Sequence, residues 1–229
     1  MNIRTRAAGA LALAGALVLV PASTGFAASL AGISSASLYV QHGPGTLIGA
    51  MSDDFTGPGK SDLAGRTLVT GQAWSAPTKT LEATGGELEL AKSGLPITLA
   101  TLPWMAIPTT RISADLGSSG SHDFGLAIQA NQAAATATVL RIMPGNVVRL
   151  ARLDGGSWTT LASATAGPNG TWVLQHEHGT YTVKRNGTPL LTYTATPAER
   201  LAWGAHRDAG VYVSGNKGCT WDNLTVESP

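Results

Sequence analysis

Two histidines in this sequence of 229 residues have the type and spacing of metal ligands. His176 and His178 flank Glu177, and residues two apart on a strand point to the same side, so two imidazoles could bind zinc or copper. No third ligand is evident nearby, and both histidines share a strand face with Trp172. We therefore expect them to lie where this strand leaves the core, and metal binding is the less favoured alternative.

Paired carboxylates are a second arrangement with chemical potential, because glycoside hydrolysis requires two of them on opposite sides of the scissile bond. Glu87 and Glu89 alternate on a predicted strand, but the segment lacks a central Asp and a third acid. We interpret both as the solvent face of an edge strand and assign no catalytic residue. We expect a protein that is not an enzyme, with glycoside hydrolysis as an open alternative.

Four oxygen-bearing side chains form a candidate calcium site. Asp53 and Asp54 open the globular part and Asp222 and Asn223 lie near its end, so the four would meet if the first and last strands paired. Calcium takes six or more oxygen ligands, of which these would supply part. The alternative is that Asp222 and Asn223 bond backbone groups at a bulge or turn. Structural calcium is the one cofactor that we consider.

Six tryptophans offer surfaces for sugar stacking, since an aromatic ring packs on the apolar face of a sugar while polar side chains bind its hydroxyls. Trp74, Trp172 and Trp221 belong to strand patterns that predict core positions. The candidate ligand-binding tryptophans are the three near turns, Trp104, Trp158 and Trp203. The polar loop after Trp203 adds His206, Arg207 and Asp208 as candidates. Partial burial over a loop is the competing interpretation for each tryptophan.

Charge and cysteine content argue against several functions. Loss of Arg4 and Arg6 with the leader described below lowers the formal net charge from +1 to −1, which gives no electrostatic basis for binding nucleic acid or an anionic membrane. Cys219 is the single cysteine, so an intrachain disulfide cannot form. We interpret Cys219, beside Trp221, as a small buried apolar residue and not as a nucleophile.

Composition divides the chain into three parts. Residues 1–27 have a basic start, an apolar run and small residues before a cleavage point, which is typical of a secretory signal peptide. Residues 28–51, rich in Ser, Gly and Ala, are interpreted as an arm or linker. Residues 52–229 are long enough for one β-sandwich domain. We expect a secreted, extracellular protein without a membrane segment once the signal is removed, and we predict no oligomeric state.

Short strand-forming runs follow one another from about residue 87 to residue 226 and are separated by turn sequences such as Pro144-Gly145-Asn146. Within residues 123–130, Phe124, Leu126 and Ile128 face one way, which predicts a half-buried strand. After the signal, no segment shows helical spacing over three turns. The pattern predicts an all-β fold of two antiparallel sheets.

The segment Thr171–Gly187 reads as two strands joined by a turn at Gly179 and closed by Asn186-Gly187. Asn-Gly supplies the positive φ angles that a tight hairpin connection requires. A hairpin of this kind needs a sheet beneath it, and the neighbouring runs supply one.

Three places in the sequence resemble the concanavalin A-like lectin/glucanase superfamily, the jelly-roll sandwich that includes laminin G-like modules. They are Asp53-Asp54-Phe55 with LAGRTLVTGQAW (Leu63 to Trp74), then Trp172 followed by Gly179, Tyr181 and Asn186-Gly187, and finally Gly210-Val211-Tyr212-Val213 with Trp221-Asp222-Asn223-Leu224-Thr225-Val226. The resemblance covers residues 52–229 and is to bacterial secreted and phage tail-associated members. It implies a fold used for binding glycans or proteins, sometimes with structural calcium, and in some branches for glycoside hydrolysis.

The expected function is therefore binding of a carbohydrate or a cell-surface polymer by a secreted, lectin-like module. Two alternatives stay open: a secreted glycoside hydrolase of the same superfamily, and a structural or adhesive extracellular protein whose arm mediates assembly.

Overall fold

The structure is a computed structural model that describes residues 38–41, 47–57, 59–68, 70–104, 109–118, 122–215 and 217–228. The predicted signal peptide, residues 1–27, lies outside these ranges, as do residues 28–37 and 42–46 of the predicted arm. Within the described residues, no helix is long and apolar enough to cross a bilayer.

The described chain is built almost entirely from strands. They are β1 (Leu38–Gln41), β2 (Leu47–Asp53), β3 (Ser61–Asp62), β4 (Leu81–Thr84), β5 (Glu87–Leu90), β6 (Leu95–Leu102), β7 (Thr109–Ser118), β8 (Asp123–Asn131), β9 (Thr136–Met143), β10 (Val147–Asp154), β11 (Ser157–Thr165), β12 (Gly170–Glu177), β13 (Thr180–Arg185), β14 (Thr188–Thr194), β15 (Asp208–Gly215) and β16 (Cys219–Glu227). A 3-10 turn covers Pro144–Asn146, and one helix, α1, covers Pro197–Trp203.

The strands form two antiparallel sheets, which confirms the predicted fold class of a two-sheet all-β sandwich. The six-stranded sheet has the order β11-β10-β9-β8-β15-β6. The ten-stranded sheet has the order β14-β13-β12-β7-β16-β5-β4-β3, and β2 joins it through β16 while β1 pairs with β2. The chain crosses between the sheets several times, so the two sheets close on one core.

The β12–β13 hairpin behaves as its sequence predicts. Trp172, Leu174, Tyr181 and Val183 are all buried in the core between the sheets. The turn into β14 places Asn186 and Gly187 at φ values of 48° and 79°, which the Asn-Gly pair tolerates. The predicted core tryptophans Trp74, Trp172 and Trp221 are buried as well.

Three strand predictions need correction. β5 lies between β16 and β4 and is not the edge strand that was expected, although Glu87 is exposed as predicted. β8 is buried on both faces and not half-buried, because Ala127 belongs to a second apolar cluster on the side opposite Leu126. β1 and residues Leu47–Met51 of β2 lie within the segment interpreted as an arm, and β2 continues to Asp53 and pairs with β16.

The helix α1 is short but has strong end signals. The Thr196 hydroxyl accepts the Glu199 N–H, and the Glu199 carboxylate accepts the Thr196 N–H at 2.8 Å, which forms a capping box. Pro197 stands at the first helical position, where its missing N–H costs nothing.

A buried carboxylate ties β2 to the long segment between β3 and β4. Asp53 is fully buried and accepts hydrogen bonds from Arg66 Nε at 3.1 Å, Trp74 Nε1 at 2.9 Å and the Phe55 backbone N–H at 2.9 Å. Arg66 also donates to the Thr56 carbonyl oxygen at 2.8 Å. This network satisfies a charge that would otherwise be costly to bury.

We expect Asp53→Asn to lower the free energy of unfolding by roughly 3–5 kcal/mol, because Arg66 would lose its buried counter-charge. Urea denaturation measures the change. Asp54→Asn is the matched control: this neighbouring carboxylate accepts from the Thr56 N–H at 3.0 Å in a more exposed position, so we expect a loss of about 1 kcal/mol. Equal losses in the two variants would contradict the role given to Asp53.

Candidate functional site

The outer face of the six-stranded sheet, which faces away from the core, carries a row of small residues. Strand registers place six residues side by side across the sheet, one on each strand: Thr160, Ala151, Val139, Ala127, Gly210 and Thr101. Larger residues flank the row, and the buried Leu99, Leu153 and Tyr212 belong to the same apolar cluster. This sheet therefore has an apolar layer on each face, whereas one face of a sandwich sheet usually meets water.

Four side chains on this face form what we call the outer cluster: Trp158, Tyr212, Arg141 and Asp123. The rings of Trp158 and Tyr212 meet edge to face with their centroids 5.2 Å apart. The Arg141 guanidinium lies 3.9 Å from the centroid of the Trp158 ring. Arg141 also forms an ion pair with Asp123, and Tyr212 donates its hydroxyl proton to the same carboxylate at 2.9 Å.

The contact between Trp158 and Tyr212 shows that this face is concave. Trp158 lies on β11 and Tyr212 on β15, and three strands separate them. In a flat sheet, four strand spacings are about 19 Å. The rings touch because both side chains lie across the small row and because the sheet curves inward on this side. The small residues are thus the floor on which the aromatic rings rest.

Electrostatics fix the protonation states within the outer cluster. Burial and the neighbouring Asp123 charge raise the pKa of Tyr212, so its hydroxyl stays a donor. Burial opposes the charge of Arg141, but its hydrogen bonds with Asp123 hold the pKa of the guanidinium above the usual value. The cluster therefore holds a fixed cation, a hydrogen-bonded carboxylate and a partly exposed indole ring.

A groove of about 310 Å³ lies at the β6 edge of the same sheet. Its walls are Ile97 and Leu99 from β6, Pro77, and the turn between β8 and β9 with Gln132 and Ala135. Leu99 pairs with Tyr212 across the strands, so the groove is adjacent to the outer cluster. Its volume is within the range of small-ligand pockets.

Of the candidate ligand-binding tryptophans, only Trp158 lies in the outer cluster. Trp203 packs against Tyr181 and Tyr193, with ring centroids 5.9 and 6.3 Å away, and the buried Arg152 guanidinium lies 5.3 Å from its ring. Trp104 is buried in the core between the sheets. Partial or full burial, the competing interpretation, describes both of these residues.

The polar loop after Trp203 leads into β15 at one end of the sheet. Asp208 accepts a hydrogen bond from Thr101 Oγ1 at 3.3 Å and one from the Trp104 backbone, and burial raises the pKa of its carboxyl. His206 Nδ1 lies 3.5 Å from the Asn131 amide nitrogen, and Arg207 is exposed. The structure thus gathers His206, Asp208 and Trp104 at this end. The His206 N–H donates to the Trp203 carbonyl oxygen at 3.3 Å, but the Trp203 ring packs against Tyr181 and Tyr193.

The four residues predicted to share a calcium ion do not converge. The first and last strands do pair, with Asp53 opposite Leu224, but Asp53 points into the core, where Arg66 binds it. A bulge of β16 follows Asp222 and includes Asn223, and the Asn223 amide donates to Asp115 at 2.9 Å. In the part of the chain that the structure describes, no three His, Cys, Asp or Glu side chains are placed to hold a metal.

The remaining chemically interesting residues have structural roles. The His176 ring stacks on Tyr181 at 4.7 Å and accepts the Gly179 N–H through Nε2 at 3.2 Å, while His178 is exposed in the turn. His176 therefore lies at the edge of the core, as predicted. Burial raises the pKa of Cys219 to about 12, so its thiol is inert, also as predicted.

Sequence reasoning missed three of the four residues of the outer cluster. Arg141, Asp123 and Tyr212 each lie on a strand whose opposite face supplies core residues. The spacing of two arginines around a turn was a signal for this site. Arg141 and Arg149 are equally distant from the turn Pro144–Asn146, which connects two strands. They therefore pair across the hairpin. A pair of arginines on one sheet face is unusual enough to attract attention.

No protein-family model and no curated protein sequence matches this chain. Among solved structures, it is similar to the carbohydrate-binding module CBM66 from Bacillus subtilis, with a TM-score of 0.55 and 13% identity over 75% of this chain and 100% of the module. It is also similar to the GH43 protein BlXynB from Bacillus licheniformis, with a TM-score of 0.54 and 13% identity over 78% of this chain.

A third similar structure is the Bacteroides ovatus protein described as Xyloglucan PUL GH43B, with a TM-score of 0.51 and 16% identity over 76% of this chain. The chain spans only 40% of that protein and 39% of BlXynB. At these identities the similarities establish a shared fold, and the function must be argued from the site.

We expect Gly125→Ala to destabilise the sheet beneath the outer cluster. A methyl group at this position would overlap the Leu140 backbone carbonyl of the next strand. The free energy of unfolding should fall by roughly 1–3 kcal/mol, and the near-UV circular dichroism of the aromatic rings should change. Gly167→Ala is the control, since its nearest atom is a side-chain nitrogen 3.7 Å away. Indistinguishable unfolding of the two variants would refute this close approach.

Proposed function

We propose that this protein is a carbohydrate-binding β-sandwich and that its site is the concave outer face of the six-stranded sheet. The observation that carries the proposal is the outer cluster, which holds an aromatic ring, an arginine and a carboxylate together above a floor of small residues. The sandwich already has its core between the sheets, so folding alone does not account for aromatic and charged side chains on the far side.

The chemistry of the outer cluster suits a sugar. An indole ring offers an apolar plane for the C–H face of a pyranose or furanose, and Trp158 is partly exposed. Arg141 covers one side of the ring and holds it in place, which lowers the conformational entropy lost on binding. Asp123, whose side chain is 19% exposed, supplies an acceptor for hydroxyl groups next to that ring, and the buried Arg141 holds this carboxylate in place.

We further propose that the sandwich is concanavalin A-like and laminin G-like and that the protein is a secreted, non-enzymatic module. The concanavalin A-like, laminin G-like assignment rests on the sequence resemblance, and secretion of a non-enzymatic module rests on residues 1–27 and on the missing acid pattern. The Bacillus subtilis neighbour of the same fold is a carbohydrate-binding module, which supports a binding role. Structural calcium among Asp53, Asp54, Asp222 and Asn223 is not part of this proposal, because Arg66 binds Asp53 and the Asn223 amide donates to Asp115.

We expect Trp158→Ala to weaken polysaccharide binding by about tenfold or more, which corresponds to ~1.4 kcal/mol of binding free energy. Affinity electrophoresis and calorimetry against xylan, levan, starch, cellulose and chitin would identify the ligand with the unaltered protein and then measure the variant. Trp158→Phe retains a ring and should lose less. Thermal unfolding of each variant shows whether a loss of binding reflects a loss of fold.

Trp203→Ala tests the competing location. Because Trp203, the last residue of α1, packs against two tyrosines, we expect lower stability with unchanged affinity. Loss of binding in Trp203→Ala together with full binding in Trp158→Ala would move the site to the loop before β15. Release of reducing sugar from any polymer would favour the hydrolase alternative, and binding to none would refute the proposal.

A further inference from the structure

Two arginines lie next to each other on the concave face, and the one carboxylate beside them, Asp123, pairs with only one of the two. Arg141 on β9 pairs directly with Arg149 on β10. Like charges opposite each other on neighbouring strands destabilise a sheet unless something neutralises them. Arg141 is neutralised by Asp123, whose carboxylate also accepts the hydroxyl proton of Tyr212.

Arg149 has no such partner among the described residues. Its other cross-strand neighbour is Ser163 on β11, and no residue that flanks the two pairs on β9, β10 or β11 is acidic. No described ion pair includes Arg149, and its side chain is half-exposed. This end of the concave face therefore has two guanidinium groups and one carboxylate, which leaves one unit of positive charge beside the outer cluster.

We propose that Arg149, supported by Arg141, binds an oxyanion carried by the sugar polymer, so that the preferred ligand is an acidic glycan. This inference rests on the proposed function. A guanidinium group presents paired N–H donors that match a carboxylate or a sulfate oxygen pair. The shared chemistry is an oxyanion attached to a sugar, and its two sources are a uronic acid and a sulfate ester.

The position of Arg149 fits one oligosaccharide that makes both contacts. The Arg141 guanidinium stacks on Trp158, and Arg149 is on the adjacent strand, about 5 Å away along the sheet. A sugar ring on Trp158 and an acidic group on Arg149 can therefore belong to neighbouring units of one chain. The near-neutral protein has no general attraction for polyanions, so the preference would be local to this site.

The test compares polymers that share a backbone and differ in charge. Polygalacturonate is compared with fully methyl-esterified pectin, and dextran sulfate with dextran, by affinity electrophoresis at about 0.05 M and 0.5 M salt, which differ strongly in screening. We expect at least a tenfold preference for one acidic form at low salt, and that form identifies the oxyanion. Arg149→Gln should remove this preference and leave the affinity for neutral polymer unchanged.

Two further variants separate a specific effect from a general one. Arg149→Lys keeps the charge without the paired donors and should retain part of the preference. Lys184→Gln removes a cation from β13 of the other sheet and should change nothing. A preference that survives Arg149→Gln, or that Lys184→Gln abolishes equally, would overturn the inference.

The remaining outcomes distinguish this inference from the proposed function. Equal affinity for acidic and neutral polymers, with binding that still depends on Trp158, would overturn the acidic-glycan inference and leave the carbohydrate-binding proposal standing. Binding to none of the polymers would overturn both. Thermal unfolding of Arg149→Gln should show unchanged or slightly higher stability, because the substitution removes a like-charge pair.

Discussion

The hydrogen bond from Trp221 to the backbone of Gly125 connects the core to the concave face. Trp221 belongs to the ten-stranded sheet, and its Nε1 donates to the Gly125 carbonyl oxygen of the six-stranded sheet at 3.0 Å. Its ring also meets Phe124 edge to face at 5.5 Å. On the other side of the sheet, Gly125 lies between Arg141 and Tyr212 in the strand register. A shift of the core indole would therefore move the backbone that lies between Arg141 and Tyr212.

Two carboxylates, those of Asp53 and Asp123, are bound by the same kinds of partner but differ in their exposure to solvent. Asp53 is bound by an arginine and an aromatic N–H, and Asp123 is bound by an arginine and an aromatic O–H. Asp53 is fully buried, so all of its hydrogen-bonding capacity serves the fold. The Asp123 side chain is 19% exposed, so part of it still faces solvent on the concave side. The first arrangement fixes a long connection, and the second is the pre-organised polar group that the proposed function assigns to ligand binding.

The sequence predicted the fold better than the site, and the reason is physical. Alternation and turn chemistry are local, so the strand at Thr136–Met143 and the Asn186-Gly187 turn were readable directly. The row of small residues on the concave face cannot be recognised from local sequence, because its six members come from six strands whose order depends on the topology of the sheet. Trp158 was predicted as a ligand residue on its own, but its partners come from β8, β9 and β15.

Burial patterns also explain which predictions failed. The alternation of β8 was correct, yet a pattern of apolar and small residues does not show that Ala127 would be covered by side chains from distant strands. Trp203 looked like a loop tryptophan because α1 is only seven residues long, and its packing partners, Tyr181 and Tyr193, lie on β13 and β14. In each case the deciding contact is between residues far apart in sequence.

A second apolar layer that served stability alone would be built differently. Large aliphatic side chains fill space and exclude water without polar atoms that need partners. Here the central row is small, and the space above it holds an indole, a phenol and a guanidinium group, whose polar atoms require their own hydrogen bonds. Arg141 is buried only because Asp123 accompanies it, and a buried ion pair is seldom the most stable filling for such a space. Packing alone therefore does not explain the composition of this face.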